Sequence, residues 1–220
     1  SAPGDALYAY YAFYHDRDRT ELHVHEDRRG TANGFVAVCQ TAQRLFQPTV
    51  VLRTPNVEVA ADLLCEALEP GRPYHLITTP DLREAVSRVV VMSEPHKSRV
   101  YEIDLGRFEY SVNVLVVAEE GIEGRPRFLV RAQDEVVAEA GLAWKSPHFA
   151  EVSVQATDRA RQRGLGRAVL SACTRWVVRS GLHPVVIADL EDGYTTRLAE
   201  SVGYVDTGAR ELSADVRCCR

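Results

Sequence analysis

The sequence predicts a mixed α/β (α+β) protein, with a mixed central sheet flanked by helices and two similar halves in tandem. Three observations predict it. Apolar residues alternate with polar ones, or form short continuous runs, in stretches spread over all 220 residues. Stretches with helical spacing fall between them. The order three strands, helix, strand, helix, strand then occurs twice, and "RPYHLITTP" lies near "HPVVIADLE" in register.

In the first half, "TELHVHED", "NGFVAVCQT" and "PTVVLRTP" read as strands. "NVEVAADLLCEAL" is an amphipathic helix opened by the cap Asn56. "PYHLITTP" is a strand, "DLREAVSRVVVM" a helix and "SRVYEID" a strand. Ahead of them, Tyr8, Tyr10, Tyr11, Phe13 and Tyr14 form an aromatic helical cluster expected in the core. "YSVNVLVVAEEG" reads as a strand joining the halves, followed by the polar "EEGIEGRP". These place the domains at 1–110 and 111–220.

In the second half, "RPRFLVRA" and "EVVAEAGLAW" are strands joined by a turn at Gln133 and Asp134. "FAEVSVQA" is a third, with Val152, Val154 and Ala156 on one face. From Gly166 to Ser180, Val169, Cys173, Trp176 and Val177 recur at helical spacing, and Gly181 ends the helix. "PVVIADL" is a buried strand, "TTRLAESVG" a short helix and "YVDTGARELS" the last strand.

Composition narrows the function. The net charge is -5, which disfavours a nucleic-acid-binding surface, so any anion site is local. No apolar run is long enough to span a bilayer, and the first residues lack a signal peptide's pattern. Five cysteines, without a C-x-x-C, disfavour a disulfide scaffold and point to the cytoplasm. His23 and His25 share a strand face, but no third ligand is evident and no metal is expected. Exposed strand edges would allow a homodimer, and the oligomeric state stays open.

The stretch "DRARQRGLGRAV" carries the chemistry. Glycines let backbone N–H groups converge on an anion, and the following helix adds its positive dipole end. Arg161, Arg163 and Arg167 add charge. A Walker loop is excluded because its lysine is missing. A dinucleotide fingerprint fits poorly: Val169 stands at the third glycine, and seven residues lie between Ala156 and Gly164.

Residues 127–220 resemble the GNAT superfamily of acyl-CoA-dependent N-acyltransferases. The family signature R/Q-x-x-G-x-G/A is matched by Arg161, Gly164 and Gly166, between a fourth strand and the next helix. "VGYVDTG" resembles the family's step from helix into strand. The resemblance implies the GNAT fold, with acetyl-CoA as co-substrate. It implies that the pyrophosphate lies on the backbone from Gln162 through Arg163, Gly164, Leu165 and Gly166 to Arg167. The pantetheine arm would lie along Val152, Val154 and Ala156.

For catalysis, Glu151 is the candidate base, since it alternates with the apolar face of its strand. A plain strand-end carboxylate is the competing reading. Backbone N–H groups near Val154 would polarise the thioester carbonyl. The family's tyrosine acid is replaced here by Ala199, and Asp192 stands near its asparagine position. Tyr194 could substitute. Trp144 could line the acceptor pocket or belong to the core.

The first half has no counterpart of the glycine motif, so it reads as a degenerate GNAT-like copy, expected on the acceptor side. The resulting expectation is an N-acetyltransferase acting on a primary amine of a small molecule or peptide, with no nucleic-acid or membrane partner. The alternative is a non-catalytic acyl-CoA-binding regulatory protein.

Overall fold

The computed structural model describes residues 2–219. The chain divides into two compact units. One comprises residues up to Ser98 together with those from Arg210; the other runs from Arg99 to Ala209.

The first unit opens with α1 (Ala6–Ala9), which widens into a looser helical turn over Tyr10–Tyr14. Tyr8 and Tyr11 are buried as expected, but Phe13 is 65% exposed and Tyr14 45%, so only part of the aromatic cluster is core. Strands β1 (Thr20–Glu26), β2 (Ala32–Cys39) and β3 (Thr49–Arg53) pair antiparallel in sequence order. Helix α2 (Val57–Ala67) follows, capped by the Asn56 side chain on the Glu58 N–H. It buries Val59, Ala60, Leu63 and Leu64 against Val36, Val50 and Leu52. Strand β4 (Pro73–Thr78) lies parallel to β3. Helix α3 (Arg83–Ser87) is shorter than the helix expected over "DLREAVSRVVVM". Three successive valines, Val89 to Val91, favour the extended chain there, and strand β5 (Val90–Ile103) starts within them.

The second unit holds β6 (Val117–Glu120), β7 (Pro126–Ala132), β8 (Glu135–Lys145) and β9 (Phe149–Ala156), paired antiparallel in sequence order. The strand expected from Tyr110 shrinks to β6, because Val114 and Val116 pack on the unit's core rather than extending the ladder. Next come α4 (Asp158–Gln162), α5 (Leu165–Arg179), β10 (His183–Asp189), α6 (Gly193–Val202) and β11 (Tyr204–Cys218). The β9–β10 pairing is parallel. Helix α5 packs Val169, Leu170, Cys173 and Val177 on Phe128, Val130, Ala140 and Val152.

Two strands serve both units. At 14 and 15 residues, β5 and β11 are more than twice the usual strand length. In the first unit, the neighbour of β4 is the end of β11, from Leu212↔Thr78 to Arg217↔Pro73. In the second unit, the neighbour of β10 is β5, whose residues from Arg99 belong to that unit. Each half therefore gives its last strand to the other half's sheet. This moves the division from the expected 110/111 to Ser98/Arg99 and returns residues from Arg210 to the first unit.

A buried hydroxyl pair ties β11 to α5. The Tyr204 and Thr174 oxygens lie 2.8 Å apart, and Thr174 also donates to the Leu170 carbonyl at 2.8 Å. Tyr204→Phe removes one buried hydrogen bond and leaves Thr174 with its carbonyl partner. The expected loss is about 1 kcal/mol in urea unfolding. An unchanged midpoint would show that the hydroxyl adds nothing there.

Candidate functional site

Strands β9 and β10 splay apart. Their register covers three pairs and ends at Val185↔Glu151, although β9 continues to Ala156. Beyond Glu151, then, β9 pairs with β8 on one side and has no β10 partner in register on the other. A groove of about 520 Å3 beside the end of β9 is lined by Val136 to Glu139 of β8, by Val154 to Thr157 and Arg161, and by Asp192, Tyr194 and Thr195.

Tyr194 of the groove's lining abuts Gly166 at the start of α5. Between β9 and the glycines lies a short helix, α4, capped by Thr157 on the Ala160 N–H. Gly164 then caps α5 with φ +69°, a left-handed conformation that favours glycine. The Arg163 and Gly164 N–H groups donate to the Ala160 and Arg161 carbonyls, both at 3.2 Å. The first-turn N–H groups of Leu165, Gly166 and Arg167 are those that a helix start leaves without an intrahelical acceptor. Arg161, Gln162, Arg163 and Arg167 are exposed, whereas Leu165 and Gly166 are buried. A Cβ at Gly166 would collide with the Tyr194 hydroxyl, so this glycine lets α6 close on α5.

Two side chains shape the groove's wall. The Arg161 guanidinium lies 4.3 Å from the Tyr194 ring centroid, and its Nε donates to the Ala156 carbonyl at 3.0 Å. Asp192 caps α6, accepting from the Tyr194 and Thr195 N–H groups at 3.0 and 3.2 Å and from the Thr195 hydroxyl at 2.5 Å. Burial pushes the Asp192 carboxyl up, but these bonds and Arg161 outweigh it and hold it below the usual range. Burial raises the Tyr194 phenol, which therefore stays protonated at neutral pH. Ala199, at the position where the resemblance implies a tyrosine, is fully buried and packs into the core.

Glu151 stands where the strands part. It is partly buried, opposite Trp144 on β8. Burial pushes its carboxyl up to about 7, against the opposing pull of the Trp144 indole and the Arg125 guanidinium. A carboxyl group with that value exchanges protons near neutral pH, as a general base requires. Trp144 and Arg125 are 2% and 9% exposed. Sequence reasoning missed Arg125, which stood in a stretch read as polar linker. It noticed Trp144 without pairing it to Glu151.

Of the residues implied for acetyl-CoA, Val152, Val154 and Ala156 lie on β9, Arg161 and Gln162 on α4, and Leu165, Gly166 and Arg167 in the first turn of α5, whereas the Arg163 and Gly164 N–H groups are already engaged within the chain. The open edge and the first-turn donors suit an amide-bearing, anionic ligand, so the site fits the co-substrate. In the first unit the matching place is closed by its own side chains. Thr54 accepts from the Asn56 N–H at 3.1 Å, and Asn56 caps Glu58 at 2.9 Å. His23 there contacts Glu21 and Glu66, and His25 contacts Asn33. All five cysteines are free thiols. Among the described residues, no helix is long and apolar enough to cross a membrane.

Neither a protein-family model nor a curated protein matches the sequence. Solved structures do match. A GCN5-related N-acetyltransferase-like protein from Streptococcus suis covers 98% of this chain and 98% of its own at 15% identity, with a TM-score of 0.59. A proposed GNAT-family acetyltransferase from Novosphingobium aromaticivorans reaches 0.63 at 15% identity, over 83% of this chain and 88% of its own. A tandem GNAT protein from the clavulanic acid biosynthesis pathway reaches 0.55 at 12% identity, over 94% and 85%.

Proposed function

From the fold of the GNAT N-acetyltransferases, which this chain has, we propose that it transfers an acetyl group from acetyl-CoA to a primary amine of a small molecule or peptide, in a reducing, cytoplasmic setting. One observation carries this reading: the β9–β10 splay opens a strand edge from Glu151 to Ala156, beside a groove whose Tyr194 abuts Gly166 in the first turn of α5.

The chain's residues divide the work. Leu165, Gly166 and Arg167 N–H groups and the Arg161 side chain hold the pyrophosphate. The β9 edge from Val152 to Ala156 aligns the pantetheine amides, as an added strand would. Acetyl-CoA supplies the activated acyl group. A β9 N–H near Val154 donates to the thioester carbonyl as charge develops on its oxygen. Glu151 takes a proton from the acceptor ammonium and frees the lone pair for attack. As the intermediate collapses, the nitrogen gives its second proton to solvent and the leaving thiolate takes one from solvent, since the Tyr194 hydroxyl, the other candidate, lies against Gly166 at the pyrophosphate end of the site.

Calorimetry with acetyl-CoA, run beside a thiol-release assay on a panel of amines, tests the reading. Binding with amine-dependent release is expected. Binding without release across the panel would favour a regulatory acyl-CoA-binding protein, a reading that the buried Ala199 supports. Absence of binding would sink both.

A further inference from the structure

We propose that Arg125 is a positioning residue for Glu151: by gripping a bulge at Ala143 it sets the Trp144 indole against the Glu151 carboxyl group and keeps a positive charge beside it. This rests on the reading of Glu151 as the base.

The register of β8 against β9 steps from Leu142↔Val152 to Trp144↔Glu151, so Ala143 is the extra residue of a bulge. A regular ladder would place Ala143, not Trp144, opposite Glu151. A one-residue slip in a strand turns the side chain to the other face, and bulges near reactive sites re-aim residues in this way. The bulge carbonyl needs a donor, because the ladder is broken there. Arg125 supplies it: its Nη1 donates to the Ala143 carbonyl, its Nε to the Ile122 carbonyl at 3.2 Å, and its Nη2 pairs with Glu123 at 2.7 Å. The residue is nine-tenths buried. Burying a guanidinium is costly unless every donor is used, and here the fork fastens the bulge.

The environment of Glu151 agrees. Its carboxyl is pulled toward the charged form by the Trp144 indole first and the Arg125 charge second, both against burial. On the β10 side its partner in register is Val185, which is apolar. The histidine of that strand, His183, is engaged with Glu102 at 3.1 Å.

Trp144 gives a readout that needs no turnover. The chain has two tryptophans, so Trp176→Phe leaves Trp144 alone to report on its carboxyl neighbour. Its emission should titrate with a midpoint near the Glu151 value of about 7 and stop titrating on Glu151→Gln. In Arg125→Gln the midpoint should rise by about 0.5 pH or more. The acidic limb of kcat/KM should rise with it, giving about a threefold loss below that limb and little loss well above it. If the emission midpoint rises while the rate limb stays, Glu151 is not the base, although Arg125 still governs its charge. If neither moves in a folded variant, or the rate falls equally at every pH, the proposal is overturned. Should Arg125→Gln fail to fold, Arg125→Lys carries the test. It keeps the charge without the fork, so the Trp144 emission maximum should shift to the red as water reaches the indole; an unshifted maximum overturns the proposal.

Discussion

Glu151→Gln is expected to lower kcat for amine acetylation by about 10²- to 10⁴-fold, the usual contribution of a positioned base, with acetyl-CoA affinity retained. Glutamine keeps the shape opposite Trp144, so the change removes the basicity rather than the packing. The pH dependence follows from the environment. With the carboxyl pushed up to about 7 by burial, wild-type kcat/KM should rise with pH through that value as the base loses its proton. The residual activity of the variant should lack this limb. Stability gives an independent check. A carboxyl whose native value lies above its ordinary 4.5 binds more protons folded than unfolded. Native stability therefore falls as pH rises between those two values. Glutamine has no such term, so the variant should gain on the wild type over that interval and keep the gain above it. A variant with full activity and an intact acidic limb would assign the proton to another group.

Much of the second unit was legible, because its signals are local. The turn at Gln133, the helix stops at Gly181 and Gly203 and the spacing Val169, Cys173, Val177 each depend on neighbours a few residues away. All appear in the structure, with φ of +57°, +77° and +109° at the three turn and cap positions. The Arg161, Gly164 and Gly166 pattern likewise marks a helix start whatever the rest of the chain does. What was not legible depends on distant partners. Nothing in "SRVYEID" or "YVDTGARELS" signals that these strands serve both units, since strand propensity does not specify the partner. The bulge at Ala143 is equally silent: "EAGLAWKS" alternates well enough to read as a regular strand. The three valines at 89–91 were legible and misread, because helical spacing was given more weight than β-branching. Arg125 was hidden because it meets Ala143 eighteen residues away, across a ladder whose slip the sequence does not announce.

Gly164→Glu is expected to weaken acetyl-CoA binding by about 100-fold or more, since it sets a carboxylate at the helix start that would receive the pyrophosphate. The fold should survive. Nothing lies within 4 Å of a Cβ built at this glycine, so the cost is confined to the left-handed backbone, φ +69°, and amounts to about 1–2 kcal/mol. Gly164→Asn separates the two effects, because asparagine tolerates that conformation and carries no charge; it should bind nearly as well as the wild type. The neighbouring glycine is the poorer choice. Any side chain at Gly166 strikes the Tyr194 hydroxyl, and a loss of binding there would mix the groove's wall with the cradle. Arg159→Ala is the matched control, since Arg159 is exposed on α4 and does not line the groove. Calorimetry with acetyl-CoA, read beside thermal unfolding of the same variants, decides the matter. Wild-type affinity in a folded Gly164→Glu protein would mean that the anion does not rest on the first turn of α5, and the reading of the groove as an acyl-CoA site would lose its anchor.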